Sequence, residues 1–383
     1  MKTEAFSFTL FARKAGRVLL IIISIVVAGI LLLLGVLLAW SPGNPEPFLD
    51  ENGNPLANSI SEKIHVTING VEQGMFIKGK NSNNPVLLFV HGGPGMPEYW
   101  LTQRYPTGLE DYFTVVWWEQ RGAGLSYSPA IPAETMTAEH FISDTLEVTK
   151  YLRKRFGREK IYLMAHSWGS YIGIQAAARE PDSYYAYIGM GQISYQIKSE
   201  QLAYAYALEY YKKSGNIDMV QRLEAAPPTL TVPLPAAYEA LRDAYMHGAG
   251  IGTTHAMRSV VTGIFLPSWQ FREYTIGEKI NLWRGKSFSG SSAFNLWDTM
   301  QATDLTKQVT RLGIPVYFFE GAYDYTCAYP LAKDYFAQLK APVKGFYTFA
   351  HSAHSPLFEE PEKMLEILQH DVLAGTTNLA DTK

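Results

Sequence analysis

Cysteine is almost absent. Cys327 is the single one in 383 residues, which excludes an internal disulfide and any CxxC metal or redox pair. The sequence also has no HExxH helix, and no metal or cofactor is expected. Charge is sparse as well: 18% of residues are charged, with 33 basic against 36 acidic side chains. Without an excess of positive charge there is no basic face for nucleic acid, and no such partner is expected. The 47% hydrophobic content is that of a folded enzyme, and the length suits one catalytic domain carrying an insertion.

Charge is missing altogether from Val18 to Trp40. At ~1.5 Å per residue this run can cross the ~30 Å of a bilayer's hydrocarbon. Lys2, Arg13, Lys14 and Arg17 precede it with only Glu4 opposing, and Glu46, Asp50 and Glu51 follow. The positive-inside rule then makes residues 1–17 a cytoplasmic tail and 18–40 a single-pass anchor in the cell membrane, with the catalytic part outside. Ala39-Trp40-Ser41 also fits a signal-peptidase site, but the apolar run exceeds the ~7–15 residues of a signal peptide's core, so a retained anchor is expected. The tail carries +3 of a chain total of −3, leaving −6 on residues 41–383. Residues 41–61, rich in Pro and Gly up to Leu56, read as a linker that holds the globular part off the membrane.

Beyond the linker the pattern becomes that of an α/β domain. Ile64–Ile68 and Met75–Ile77 flank Asn69-Gly70, a hairpin signal. The run 86–90 is continuously apolar, as a strand covered on both faces must be, and 113–118, broken only by Thr114, and 161–165 read as further buried strands. Thr137 caps a helix whose apolar residues recur at helical spacing, and Gly157 ends it. This βαβ alternation implies a mostly parallel sheet. Residues 62–191 form the first half of this core and 304–383 the second. Between them, 192–303 drop the alternation and read as a helical cap, with helices over 202–211 and 236–246 interrupted by Pro227, Pro228, Pro233 and Pro235.

Ile161–Ser170 reads as strand, sharp turn and helix, with Ser167 at the turn and the small residues Ala165 and Gly169 two positions to either side. Such an elbow exposes its serine above the sheet, at the amino end of a helix. Gly92, Gly93, Pro94 and Gly95 follow another buried strand and His91; their bare amides suit an oxyanion hole, with Gly93 donating beside the Trp168 amide. His91 is expected to brace that loop. Asp324 and His354 follow the last two predicted strands, giving the chain order Ser, Asp, His. A serine hydroxyl needs an imidazole to take its proton, and the imidazole needs a carboxylate to orient it. His354 is preferred to His351 because its loop position allows reach over the sheet. In the cap, Tyr204, Tyr210, Tyr211, Tyr245, Trp269, Phe271, Trp283 and Trp297 are candidates for a pocket lining or for ordinary cap core. Glu200, Glu209, Glu224 and Glu239 are candidates to meet a substrate ammonium.

Taken together, His91-Gly92-Gly93-Pro94-Gly95, the 119–126 segment EQRGAGLS, Ser167-Trp168-Gly169-Ser170, Asp324 and His354 resemble the proline iminopeptidase family of α/β-hydrolases. The likeness runs in order from about Glu62 to Leu368. It implies an α/β-hydrolase core with a helical cap, a triad of Ser167, Asp324 and His354, and release of N-terminal residues, often proline, from peptides. There are two departures from the pattern: Ala165-His166 replaces a glycine pair, and Glu119 replaces an aspartate. The expected function is a membrane-anchored serine aminopeptidase acting on small peptides through an acyl-enzyme. A carboxylesterase or lipase-like hydrolase of small acyl esters would use the same machinery, and a catalytically dead binding module is the alternative from another class. Serine at the elbow argues against epoxide hydrolysis, which resembles this fold but uses aspartate there.

Overall fold

The computed structural model describes residues 2–381, and the side chains of residues 1–13, including Lys2, Glu4 and Arg13 of the expected tail, lie outside what is described. Helix α1 (Lys2–Ala39) is a single continuous helix. Its stretch Lys14–Ala39 contains an 18-residue window of mean hydropathy 3.2, none of it buried, which is long and apolar enough for a membrane span or a signal sequence.

Eight strands follow: β1 (Ile60–Ile68), β2 (Val71–Gly79), β3 (Val86–Val90), β4 (Thr114–Trp118), β5 (Ile161–His166), β6 (Tyr184–Met190), β7 (Val316–Gly321) and β8 (Lys344–Phe349). They form one sheet in the order β1-β2-β4-β3-β5-β6-β7-β8. β1 and β2 are antiparallel across the Asn69-Gly70 turn, where φ is 45° and 77°. β2 also runs antiparallel to β4, and every later pairing is parallel. Alternate residues of the central strands go to opposite faces. Leu88, Val90, Val116, Trp118, Leu163 and Ala165 pack into one apolar layer, and Leu87, Phe89, Val115, Trp117, Tyr162 and Met164 into the other. Burial on both faces is why these strands read as near-continuous apolar runs.

Helix α2 (Ala138–Phe156) starts at Thr137, whose hydroxyl accepts from the His140 amide, and ends at Gly157 in the left-handed conformation. Helix α3 (Trp168–Arg179) follows β5 directly. β3 lies between β4 and β5, so the strand order reverses there, and open α/β sheets gather ligands at the carboxyl ends of strands at such a reversal.

The cap comprises α4 (Gln196–Lys213), α5 (Ile217–Ala225), α6 (Ala236–Gly248), α7 (Leu266–Gln270), α8 (Ile276–Ser289) and α9 (Leu296–Ala302). The four prolines occupy the stretch between α5 and α6. Helices α4 to α6 enclose an apolar core of their own, including Ile197, Ala207, Tyr211, Leu223, Tyr238, Leu241 and Tyr245.

The linker differs from a free tether. Residues 41–59 carry little regular structure, but the Gly43 amide donates to the Arg272 carbonyl at 3.1 Å, and Glu46 pairs with Arg272 at 2.9 Å. Buried Lys279 donates to the Trp40 carbonyl, the Ser41 hydroxyl and the Trp269 carbonyl at 2.7, 2.8 and 2.7 Å. Proline and glycine removed regular hydrogen bonding from this segment, but backbone carbonyls remained available to buried cations.

Candidate active site

β5 ends at His166 and α3 begins at Trp168, leaving Ser167 alone in the turn at φ 56° and ψ −123°. A non-glycine residue keeps such backbone only where its surroundings enforce it. Here α3 crosses β3 so closely that a Cβ on Gly169 would lie 2.0 Å from the Val90 carbonyl oxygen. Ser167 and the buried Cys327 line the same cavity, and the Cys327 thiol donates to Gln196 Oε1 at 3.7 Å.

Asp324 follows β7 and His354 follows β8, and the fold brings them together. His354 Nδ1–H donates to Asp324 Oδ2 at 2.8 Å, and Asp324 Oδ1 accepts from the Cys327 amide at 2.9 Å. Asp324 is fully buried. His354 Nε2 is buried and has no hydrogen-bond partner among the described residues, so a basic nitrogen is free on the side facing away from Asp324. The exposed His351 is held elsewhere, its amide donating to Glu360. Gly191, which sequence reasoning missed, supports the pair. Its φ is +51°, and a Cβ there would lie 2.8 Å from His354 Cε1 and 3.2 Å from Asp324 Oδ2.

The glycine loop after β3 is braced from below. His91 Nδ1–H donates to the Gly92 carbonyl at 2.7 Å, and its Nε2 accepts from the Gln120 amide at 3.0 Å. Burial pushes His91 down to about 4, so it is neutral and its two nitrogens can take these opposite roles. The Gln120 side chain links the His91 carbonyl to the Trp168 indole at 2.7 and 2.9 Å. Trp168 contributes the first amide of α3, one that helix geometry leaves without an intrahelical partner. The Gly93 amide donates to no group among the described residues.

A second buried pair, Glu98 and His166, was not visible as a unit in the sequence. His166 Nδ1–H donates to Glu98 Oε1 at 2.8 Å, and Nε2–H donates to the His354 carbonyl at 2.7 Å. Glu98 Oε1 also accepts from the Gly92 amide at 2.9 Å. Burial alone would push His166 down, but the Glu98 charge and hydrogen bond outweigh it and hold His166 above its usual range. Burial would likewise raise Glu98, yet the His166 charge holds it below the ordinary carboxylate value. The imidazolium therefore ties together the elbow, the glycine loop and the loop of His354. The only signal was the unusual residue before Ser167.

The departure at Glu119 also has a structural explanation. Its carboxyl is wholly buried, accepting from the Leu125 amide at 2.6 Å and from the Tyr274 hydroxyl, and burial pushes it up to about 8. Two residues on, Arg121 makes a fully buried two-point pair with Asp144, both bonds 2.8 Å. This segment builds the wall behind the site.

Ser167, His354 and Glu98 line one cavity of about 870 Å³ between core and cap, together with Gly92, Gly93 and Cys327. Of the eight cap aromatics, Trp283 and Trp297 reach it. Tyr211 and Tyr245 belong to the cap core, Tyr204 packs against that core and Phe271 lies in the main core. Tyr210 is exposed and Trp269 packs on Phe265. Of the four glutamates, Glu239 lines the cavity. Glu200 is consumed by Arg242 at 2.7 Å, and Glu209 and Glu224 pair with Lys213 and Lys212 on the surface. Asp298 joins Glu239 at the cavity; burial and then the Asp298 charge raise Glu239 above its usual value. Val260, Val261, Ile264, Phe265 and Trp283 make an apolar wall. Among the described residues no cluster of histidine, cysteine or acidic side chains is arranged to hold a metal ion.

Residues 85–214 match the model of the alpha/beta hydrolase fold. The chain is 33% identical over 309 residues to the "Probable aminopeptidase YbaC" of Bacillus subtilis (strain 168), covering 80% of this chain and 95% of that protein. It is 24% identical over 307 residues to the proline iminopeptidase of Saccharolobus solfataricus, covering 76% and 85% of the two chains. Among solved structures, the proline iminopeptidase of Mycobacterium smegmatis superposes with a TM-score of 0.57 at 17% identity, over 82% of this chain and all of that one. That likeness concerns the fold.

Proposed function

Because the chain belongs to the proline iminopeptidase family of α/β-hydrolases, we propose that it is a membrane-anchored serine aminopeptidase with Ser167 as nucleophile. The carrying observation is the convergence, on one cavity, of Ser167, the unpartnered nitrogen of the His354–Asp324 pair, and the cap carboxylates Glu239 and Asp298. In this reading the carboxylates hold the free ammonium of a short peptide and so place its first carbonyl over Ser167. Ser167 Oγ attacks that carbon while His354 Nε2 takes the hydroxyl proton and Asp324 stabilises the imidazolium. The Gly93 and Trp168 amides receive the oxyanion. As the C–N bond breaks, His354 returns the proton to the leaving amine, and water then cleaves the acyl-enzyme by the same route. Residues 18–40 serve as a retained anchor that leaves this site outside the membrane.

The test uses the full chain in detergent with two substrates, a prolyl amide with a free amine and its N-acetylated twin, and Ser167→Ala as control. Cleavage of the free amine alone, abolished by Ser167→Ala, is the expected result. Turnover of short acyl esters with neither amide cleaved would replace the peptidase reading by an esterase, in keeping with the apolar wall. Full activity of Ser167→Ala would remove the serine mechanism altogether.

A further inference from the structure

The apolar wall of the cavity continues onto the outer surface of the cap. Val261 and Phe265 line the cavity and are also 52% and 39% exposed, and Leu266 beside them is 51% exposed. Ile280 on α8 adds a further exposed apolar side chain, and the Phe265 ring packs at a tilt against Trp283 of the wall, 4.9 Å between centroids. An exposed apolar patch continuous with a cavity mouth needs a partner, and the path of the chain out of α1 identifies one.

The end of α1 is fixed next to this patch. One ammonium, that of Lys279, holds the Trp40 carbonyl and the Trp269 carbonyl, each at 2.7 Å. Trp269 lies one helical turn past Phe265 and Leu266, and Lys279 is the neighbour of Ile280. Val36 and Leu37, in the last turns of α1, are partly covered, unlike most of the helix before them. Gly43 and Glu46 continue the attachment onto Arg272. The globular part therefore does not swing on a long tether. Lys279 thus holds Trp40, a residue type that favours the membrane boundary, against the segment that carries the patch.

We propose that Val261, Phe265, Leu266 and Ile280 dip into the outer leaflet beside the anchor, so that the cavity opens onto the bilayer and takes amphiphilic substrates from it. The substrate class is a molecule with an apolar tail in the leaflet and its scissile carbonyl at the polar end. The tail would lie along Val260, Ile264 and Trp283 while the polar end reaches Ser167. This inference rests on the anchored-enzyme reading above.

Intact mass of the purified full chain first establishes that residues 1–40 are retained. The chain carrying Leu266→Cys is labelled with an environment-sensitive fluorophore and placed in phosphatidylcholine nanodiscs with and without nitroxide on the lipid tails. A control label is carried at Tyr185→Cys, an exposed site at the amino end of β6. Strong quenching at position 266 with little at 185 is expected, and equal or absent quenching at 266 overturns the docking. In unlabelled nanodiscs, the dodecyl amide of proline should be cleaved about tenfold faster than its methyl amide. The Leu266→Glu/Ile280→Glu double variant should lose that preference and keep the methyl amide rate. A preference unchanged in the double variant refutes uptake from the leaflet. Cleavage of neither amide would refute the peptidase reading, while the quenching result still decides the docking.

Discussion

Replacing Glu98 separates two roles of its carboxylate, charge and hydrogen bonding. In Glu98→Ala, His166 loses its counter-ion and the Gly92 amide loses its acceptor, both inside the protein. Breaking one side of a buried ion pair costs about 3–5 kcal/mol. His166 must then give up a proton, and it keeps its bond to the His354 carbonyl only if the remaining proton sits on Nε2. In Glu98→Gln every bond can be kept: the amide oxygen accepts from Gly92, the amide N–H donates to an unprotonated Nδ1, and Nε2–H still reaches His354. The loss is then limited to the charge assistance, about 1–2 kcal/mol. Urea unfolding of the full chain in detergent, followed by tryptophan fluorescence, gives both values. The pH dependence adds a signature. Glu98 is depressed, so its contribution is present above 4.5 and is lost as pH falls through its lowered value. His166 is raised, so its contribution is complete below 6.5 and is lost as pH rises through its raised value. The gap between wild type and Glu98→Gln should therefore be widest between those two reference values. A Glu98→Ala protein within about 1 kcal/mol of wild type, or a glutamine variant as damaged as the alanine, would refute the reasoning.

Gly191→Ala places a methyl against His354 and forces a left-handed alanine. It should cost about 1–2 kcal/mol of stability and about a hundredfold in kcat, measured by unfolding and by steady-state hydrolysis. His354→Gln should abolish hydrolysis, whereas His351→Gln at the exposed neighbour should leave kcat within about twofold, since surface substitutions away from special features cost little. Burial raises Glu119 from 4.5 to about 8 and Glu359 to about 7, so both take up protons on folding. Stability should fall as pH rises from about 4.5 through those values, because the folded state binds more protons there. Glu119→Gln should flatten part of that slope in melting temperatures recorded from pH 5 to 9.

The parts of the molecule legible in the sequence are those governed by short-range rules. Near-continuous apolar runs announced the doubly covered strands, Asn69-Gly70 the hairpin, and Thr137 and Gly157 the ends of α2. Ala165 and Gly169 announced the elbow, because tight approach of helix and strand leaves a mark on composition. His354 and Asp324 could be placed by their distance past two strands, and the structure joins them at 2.8 Å. What could not be read depends on partners remote in sequence. Glu98 lies 68 residues before His166, and His166 reaches a carbonyl 188 residues further on. Nothing local distinguishes Glu239, which faces the cavity, from Glu200, which Arg242 occupies. The attachment of residues 41–59 was not readable for the same reason, since the lysines that hold the segment, Lys63 and Lys279, come from β1 and α8.

The bond from His166 to the His354 carbonyl joins the stretch of chain before the cap to the stretch after it. It does so without any residue of the cap. The two halves of the core are thus clasped to each other at the site itself, and the cap adds bonds of its own, the His354 amide donating to the Gly252 carbonyl at 3.3 Å and the Ala328 amide to the Ser199 hydroxyl at 3.1 Å. A change in the cap therefore reaches the site through the His354 loop, while the bond between the two core halves holds that loop from the other side.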